Sequence, residues 1–150
     1  MIVTQIVLAW LYSHIFEYFA HRYILHGKGR MMKIFKHHFA HHHKVSRKNE
    51  MYDSDYNKFW KLNFENGSLF LASILHIPVF FFFPYAYVTI VGCILSYYLI
   101  HRKSHQDVAW GKKWVPWHYD HHMGKNQHSN WGVRLPILDY LFQTRFKSSS

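Results

Sequence analysis

The chain has 150 residues, one domain's worth, with a formal charge of +10, 20% aromatic residues and 15 histidines. Its one cysteine, Cys93, excludes an intrachain disulfide, a cysteine-based zinc finger and a cysteine-bound iron–sulfur cluster, and leaves the histidines as the abundant metal ligands. The charge alone would suit nucleic acid or an anionic membrane surface, but no nucleic-acid recognition motif is present and the apolar runs favour the membrane.

Residues 2–25 read as one helix, almost wholly apolar from Ile2 to Phe16 and closed by Gly27 and Gly29. About 20 such residues span a bilayer; the plainer alternative is a buried helix of a soluble protein. The first residues carry no positive charge and Glu17 is the first charge of all, so no cleavable signal peptide is expected. Residues 27–67 are polar and basic. Residues 68–100 are apolar again, and as one straight helix would be about 48 Å long, too long for a hydrocarbon core of about 30 Å. Pro84, near the middle, predicts a break into two short helices and a hairpin that need not cross fully. Residues 101–150 are polar and basic, with a frayed Ser148–Ser150 tail. The hairpin returns the chain to the side it left, so both basic stretches would face the cytoplasm. The expectation is a single all-α membrane domain, 1–150, with transmembrane helices bearing a cytosolic histidine-rich helical cap. No internal repeat shows beyond the histidine motifs.

Those motifs form four groups at predicted membrane boundaries. His21 and His26 end the first helix; His37, His38, His41, His42 and His43 crowd the heptapeptide HHFAHHH; His101 and His105 follow the hairpin; His118, His121 and His122 form H-x-x-H-H after Pro116. A random chain of this length and histidine content would hold about 0.15 copies of H-x-x-H-H. Residues three and four apart share a helix face, so His118, His121 and His122 can aim three rings at one place, and His101 with His105 two. His38, His41 and His42 repeat the pattern. His21 and His26 stand about 140° apart on an ideal helix, unless an unwound end at Gly27 turns His26 inward. Eight to ten imidazoles exceed one tetrahedral zinc site and suit two five- or six-coordinate ions. Glu17 and Asp120 are placed to accept ring N–H groups, or else to sit as interfacial and solvated acids. His14 and His76, alone in apolar runs, read as hydrogen-bonded core residues, and His43 and His128 as spare ligands or, in preference, surface residues. The aromatic residues around Tyr85–Tyr98 and Trp110–Trp117 suit an interfacial belt or plain packing.

The segments EYFAHRYILHG (17–27), H-x-x-H-H (38–42), HRKSH (101–105), WHYDHH (117–122) and NWGVRLPILDYLF (130–142) resemble the fatty acid hydroxylase and sterol desaturase superfamily of membrane-bound di-iron enzymes. The resemblance runs from about residue 17 to 146. It implies a helical membrane anchor with a cytosolic cap, and metal ligands at His21, His26, His38, His41, His42, His101, His105, His118, His121 and His122. His37 or His43 could replace one of these, since the register within HHFAHHH is open. Asn130 and Gly132 match a terminal element expected to be structural. Members generally carry more membrane helix ahead of the first motif, which leaves a minimal member, an oligomer that shares walls, or a shortened chain.

The resemblance implies two iron ions, with zinc able to replace them in purified protein, dioxygen as co-substrate, and hydroxylation or desaturation of a membrane lipid such as a fatty acyl chain, sphingolipid, sterol or carotenoid. With neither a G-x-G-x-x-G fingerprint nor an iron–sulfur cysteine set, electrons would come from outside, from a ferredoxin or a cytochrome and reductase. The membrane would be cytoplasmic in a bacterium, the endoplasmic reticulum in a eukaryote. The alternative is a membrane metal-handling protein, but a carrier should place its ligands within the spans, where only His14 and His76 lie.

Overall fold

The computed structural model describes residues 1–27, 36–58 and 64–148. Gly29, the basic residues Lys28, Arg30, Lys33 and Lys61, and the last two serines of the tail lie outside the described residues. Every regular element among the described residues is helical.

Helix α1 is Ile2–Phe19, a run without glycine or proline. Its buried residues fall on two rows, Ala9–Ser13–Glu17 and His14–Tyr18, which is one helix face. It does not stop where an α-helix would be capped. It passes into a π turn, Ala20–Leu25, closed by hydrogen bonds from residue i+5 to i, and the His26 N–H donates to the His21 carbonyl at 3.1 Å. The single α-helix expected over 2–25 is therefore two kinds of helix in series.

The second apolar run breaks at Pro84, as its position predicts. Helix α3, Phe64–Leu75, continues through His76 into α4, Ile77–Phe82, where Pro78 supplies no N–H and interrupts the ladder. Phe83 is extended (φ −141°, ψ 71°), and Pro84 opens α5, Pro84–Gln106, at a position where a missing N–H costs nothing. Both limbs are longer than hydropathy suggests: Glu65–Phe82 has 18 residues and Pro84–Gln106 has 23. At about 1.5 Å per residue these are roughly 27 and 35 Å, enough for a hydrocarbon core of about 30 Å. The extra length comes from polar residues at one end, where His101, Ser104 and His105 continue α5 and are buried. With Ile2–Leu25 there are, among the described residues, three helices long and apolar enough to cross a membrane. Phe81 and Phe82 each remain 75% exposed, as lipid-facing residues would. The protein is an integral membrane protein.

α1 packs chiefly on α5. The buried residues of α5 recur at intervals of three and four from Ile90 through Cys93, Tyr97 and His101 to His105. A cap gathers at the His21 and His101 ends of these helices. It comprises a π-helix, Lys36–His43, running into α2, Lys44–Lys48; a 3-10 turn, Ser54–Asn57; α6, Val108–Trp114; α7, Pro116–Met123, with Pro116 in its first turn as the sequence indicates; and α8, Ile137–Leu141.

Candidate metal centre

Among the described residues, two clusters of buried imidazoles occupy the junction of spans and cap. In one, ligand atoms of His21, His26, His38, His43 and His121 all lie within 4.8 Å of one another; in the other, those of His42, His101, His105 and His122 do. His118 stands beside the second, its Nε2 at 3.3 Å from that of His105. The clusters adjoin: the rings of His43 and His122 stack at 4.1 Å and those of His38 and His42 lie 5.4 Å apart.

The π turns decide which histidines meet. Residues five apart diverge on an α-helix but share a face where i+5 bonds to i. So His21 and His26 come together, ring centroids 5.1 Å apart, and His38 is brought to His43 at 5.1 Å. The same winding turns His41 outward, where it is exposed, while His43 is buried. Within HHFAHHH, whose register the sequence leaves open, His43 stands with the clusters in place of His41, which is exposed. Of the other nine sequence-assigned histidines, eight fall in the clusters and His118 lies beside the second.

Most of these rings are held from behind. Nδ1 of His21 meets the Trp131 carbonyl at 2.7 Å, Nδ1 of His121 the Ser129 carbonyl at 2.6 Å and Nδ1 of His105 the Met51 carbonyl at 2.7 Å. Nδ1 of His42 meets Asp53 at 2.9 Å, that of His101 meets Glu65 at 2.6 Å, and that of His43 meets Gln127 Oε1 at 3.0 Å. These oxygens only accept, so Nδ1 carries the proton and Nε2 presents a bare lone pair. The Nε2 atoms of His43 and His121 then face each other at 3.1 Å with no proton to share. Those of His42, His101 and His122 are buried without any partner. Bare lone pairs converging in a dry site are costly alone and are satisfied by a cation among them, so the donor set fits metal ions. Burial, reinforced by neighbouring imidazoles, lowers the pKa of His26, His38, His43, His118, His121 and His122, and keeps them in the ligating neutral form. His42 is lowered by burial against the opposing pull of Asp53.

The supporting carboxylates are not the two expected. Glu17 accepts the N–H groups of Val133 and Arg134 at 2.6 and 3.0 Å and pairs with the Arg134 side chain; Asp120 pairs with Arg145 at 3.0 Å. Asp53 and Glu65 hold the ligand rings instead, and Tyr56 donates to Glu65 at 2.5 Å. Burial alone would raise the Asp53 carboxyl, but hydrogen bonds from His42 and the Asp55 N–H hold it below its ordinary value. The only sequence signal for these residues is scarcity: the chain has 8 acids in all.

The terminal element works through its backbone. Trp131 and Gly132 donate their N–H groups to Asp139, both at 2.8 Å, while the carbonyls of Ser129 and Trp131 orient His121 and His21. Asn130 sits at φ 59°, and a Cβ at Gly132 would collide with the Leu135 carbonyl. Met51, at φ 82°, turns its carbonyl onto His105 in the same way. His76 is hydrogen-bonded, to Tyr12 at 2.9 Å; His14 is buried with its Nε2 unpartnered, and His128 is exposed.

A cavity of about 330 Å³ lies between α1, α3 and α5. It reaches from Tyr12, His76 and Ile90 along Phe16, Ala72 and Cys93 to His21 and His38.

Fold and site together define a helical membrane protein with a buried, polyhistidine centre opening on an apolar cavity. The family model for fatty acid hydroxylase matches residues 6–144, and the chain belongs to that family. It is thereby an oxidoreductase by family. No curated protein and no solved structure matches the chain.

Proposed function

We propose that the protein is a di-iron lipid hydroxylase or desaturase, inserting oxygen into, or removing hydrogen from, a C–H bond of a membrane lipid. The observation that carries this is the contact between the cavity and the clusters: His21 and His38 belong to the first cluster and also line the cavity's end. A metal store or carrier has no use for an apolar cavity there. Its volume falls in the range of small-molecule sites, about 300–1,000 Å³. From Tyr12 to His21 along α1 is about 14 Å at 1.5 Å per residue, so an extended chain would lie along the helices with one carbon at the histidines.

His21, His26, His38, His43 and His121 would hold one iron, and His42, His101, His105 and His122, with His118 beside them, the other. Bound iron would supply dioxygen activation and hydrogen abstraction. The protein's part is to present neutral imidazoles in fixed orientation, keep water out with apolar walls, and position the lipid. Hydroxylation consumes dioxygen, two electrons and two protons and yields the alcohol and water. The electrons would come from a ferredoxin or a cytochrome system docking on the basic cap, which by the positive-inside bias would face the cytoplasm.

The test is conversion of lipid by iron-loaded protein in vesicles with dioxygen and a ferredoxin–reductase couple, read by mass spectrometry. An oxygenated or dehydrogenated product, absent without dioxygen and absent in His105→Ala, is the expected result. Reductant and oxygen consumption that no lipid stimulates would contradict it.

A further inference from the structure

We propose that His37 and His41 form an outer capture site for a divalent metal ion, which loads the buried centre through a polar cleft beneath them. The proposal rests on the reading of the clusters as a metal centre. HHFAHHH contains more histidine than that centre uses. The π-helix turns His38, His42 and His43 inward and leaves His37 and His41, each one residue before an inner ligand, on the adjoining face. Their rings stack at 5.9 Å; His41 is exposed and His37 half-buried. Two imidazoles four residues apart on one helix suit Fe2+, Co2+ or Zn2+.

Beneath this pair lies a cleft of about 20 Å³. His37 and His41 line it together with His38 and His42, one residue from each cluster. Its walls carry Asp53, Asp55 and Glu65, three of the chain's 8 acids in a molecule of net charge +10. A cation repelled by the basic cap elsewhere is attracted here. The volume admits one water or one small ion at a time, since a water needs about 10–15 Å³. The cavity adjoins this cleft at His37, His38 and Glu65, but its walls from there to Tyr12 are mainly aliphatic and aromatic and offer a hydrated cation a poorer route. Metal would therefore enter through the acidic cleft and lipid along the apolar cavity.

The experiment measures uptake of Co2+ by metal-free protein in detergent, followed anaerobically by visible absorption after rapid mixing. In the double variant His37→Asn/His41→Asn, uptake should slow by about tenfold or more, the range in which local charge and capture act on association rates. The final tight stoichiometry should stay that of the wild type, which also reports that the variant is folded. Asp55→Asn should slow uptake in the same direction. Equal rates in wild type and double variant would overturn the proposal. So would a lower final stoichiometry in the double variant, which would make these residues ligands of the centre rather than its entrance. If the wild type itself takes up no tightly held Co2+, the metal centre fails first, and that outcome is read before any variant is compared.

Discussion

Each ligand ring has two ends, and the residues behind it matter nearly as much as those in front. Asp53 and Glu65 fix Nδ1 of His42 and His101 and so aim both bare Nε2 atoms into the second cluster. Asp53→Asn and Glu65→Gln should each weaken metal binding by about 10–100-fold while leaving the site able to fill at high metal concentration. Competition against a chelator of known affinity measures this; unchanged affinity in both variants would remove the carboxylates from the account. Neither residue was legible in the sequence. Asp53 lies in an irregular segment with no period to place it, and Glu65 reads as the polar edge of an apolar run. The histidines were legible where the helix is an α-helix: His118, His121 and His122 share a face at the spacing expected. Where it is a π-helix, a five-residue repeat looks like divergence to α-helical geometry, so the register within HHFAHHH stays open in the sequence and the structure fills it with His43 rather than His41.

At the scale of elements, the apolar runs and the break at Pro84 could be read directly, since hydropathy and the missing proline N–H act locally. The true ends of the limbs could not. Hydropathy ends the limb near Ile100, and only the spacing of His101 and His105 marks a helix beyond it; α5 runs on to Gln106 with His101, Ser104 and His105 buried under the cap. The way α1, α3 and α5 diverge to leave a cavity is likewise a property of their packing. Ala72, on α3, lines it one turn before His76. Ala72→Trp should fill that stretch and cut turnover of long-chain lipid by at least about tenfold, the discrimination expected of a few displaced methylenes, with metal content unchanged. Mass-spectrometric turnover beside elemental analysis separates the two. Full activity in the variant would mean that substrate enters elsewhere.

For the whole molecule, the cap is a dry store of neutral histidines, and this couples its stability to pH. The imidazoles of His26, His38, His42, His43, His118, His121 and His122 have their pKa lowered in the folded state by burial. In the unfolded chain they titrate near the ordinary imidazole value of 6.5. Below that pH the unfolded state binds protons that the folded state does not, so stability is complete above about pH 6.5 and lost as pH falls beneath it. Each such histidine adds to the slope in that window. Bound metal steepens the loss, because protons compete for the same nitrogens. The melting temperature in detergent should be flat between about pH 7 and 8 and fall sharply below 6.5; a flat profile down to pH 5 would show that the cluster histidines are not held neutral.

On the proposed reading, nine of the buried imidazoles, with His118 beside them, hold two metal ions. Elemental analysis of detergent-purified, iron-loaded protein measures this, with His41→Ala and His43→Ala alongside. Two tightly held irons per chain are expected in the wild type and in His41→Ala, and fewer than two in His43→Ala. Little or no bound metal in the wild type, or an unchanged content in His43→Ala together with a loss in His41→Ala, would contradict it.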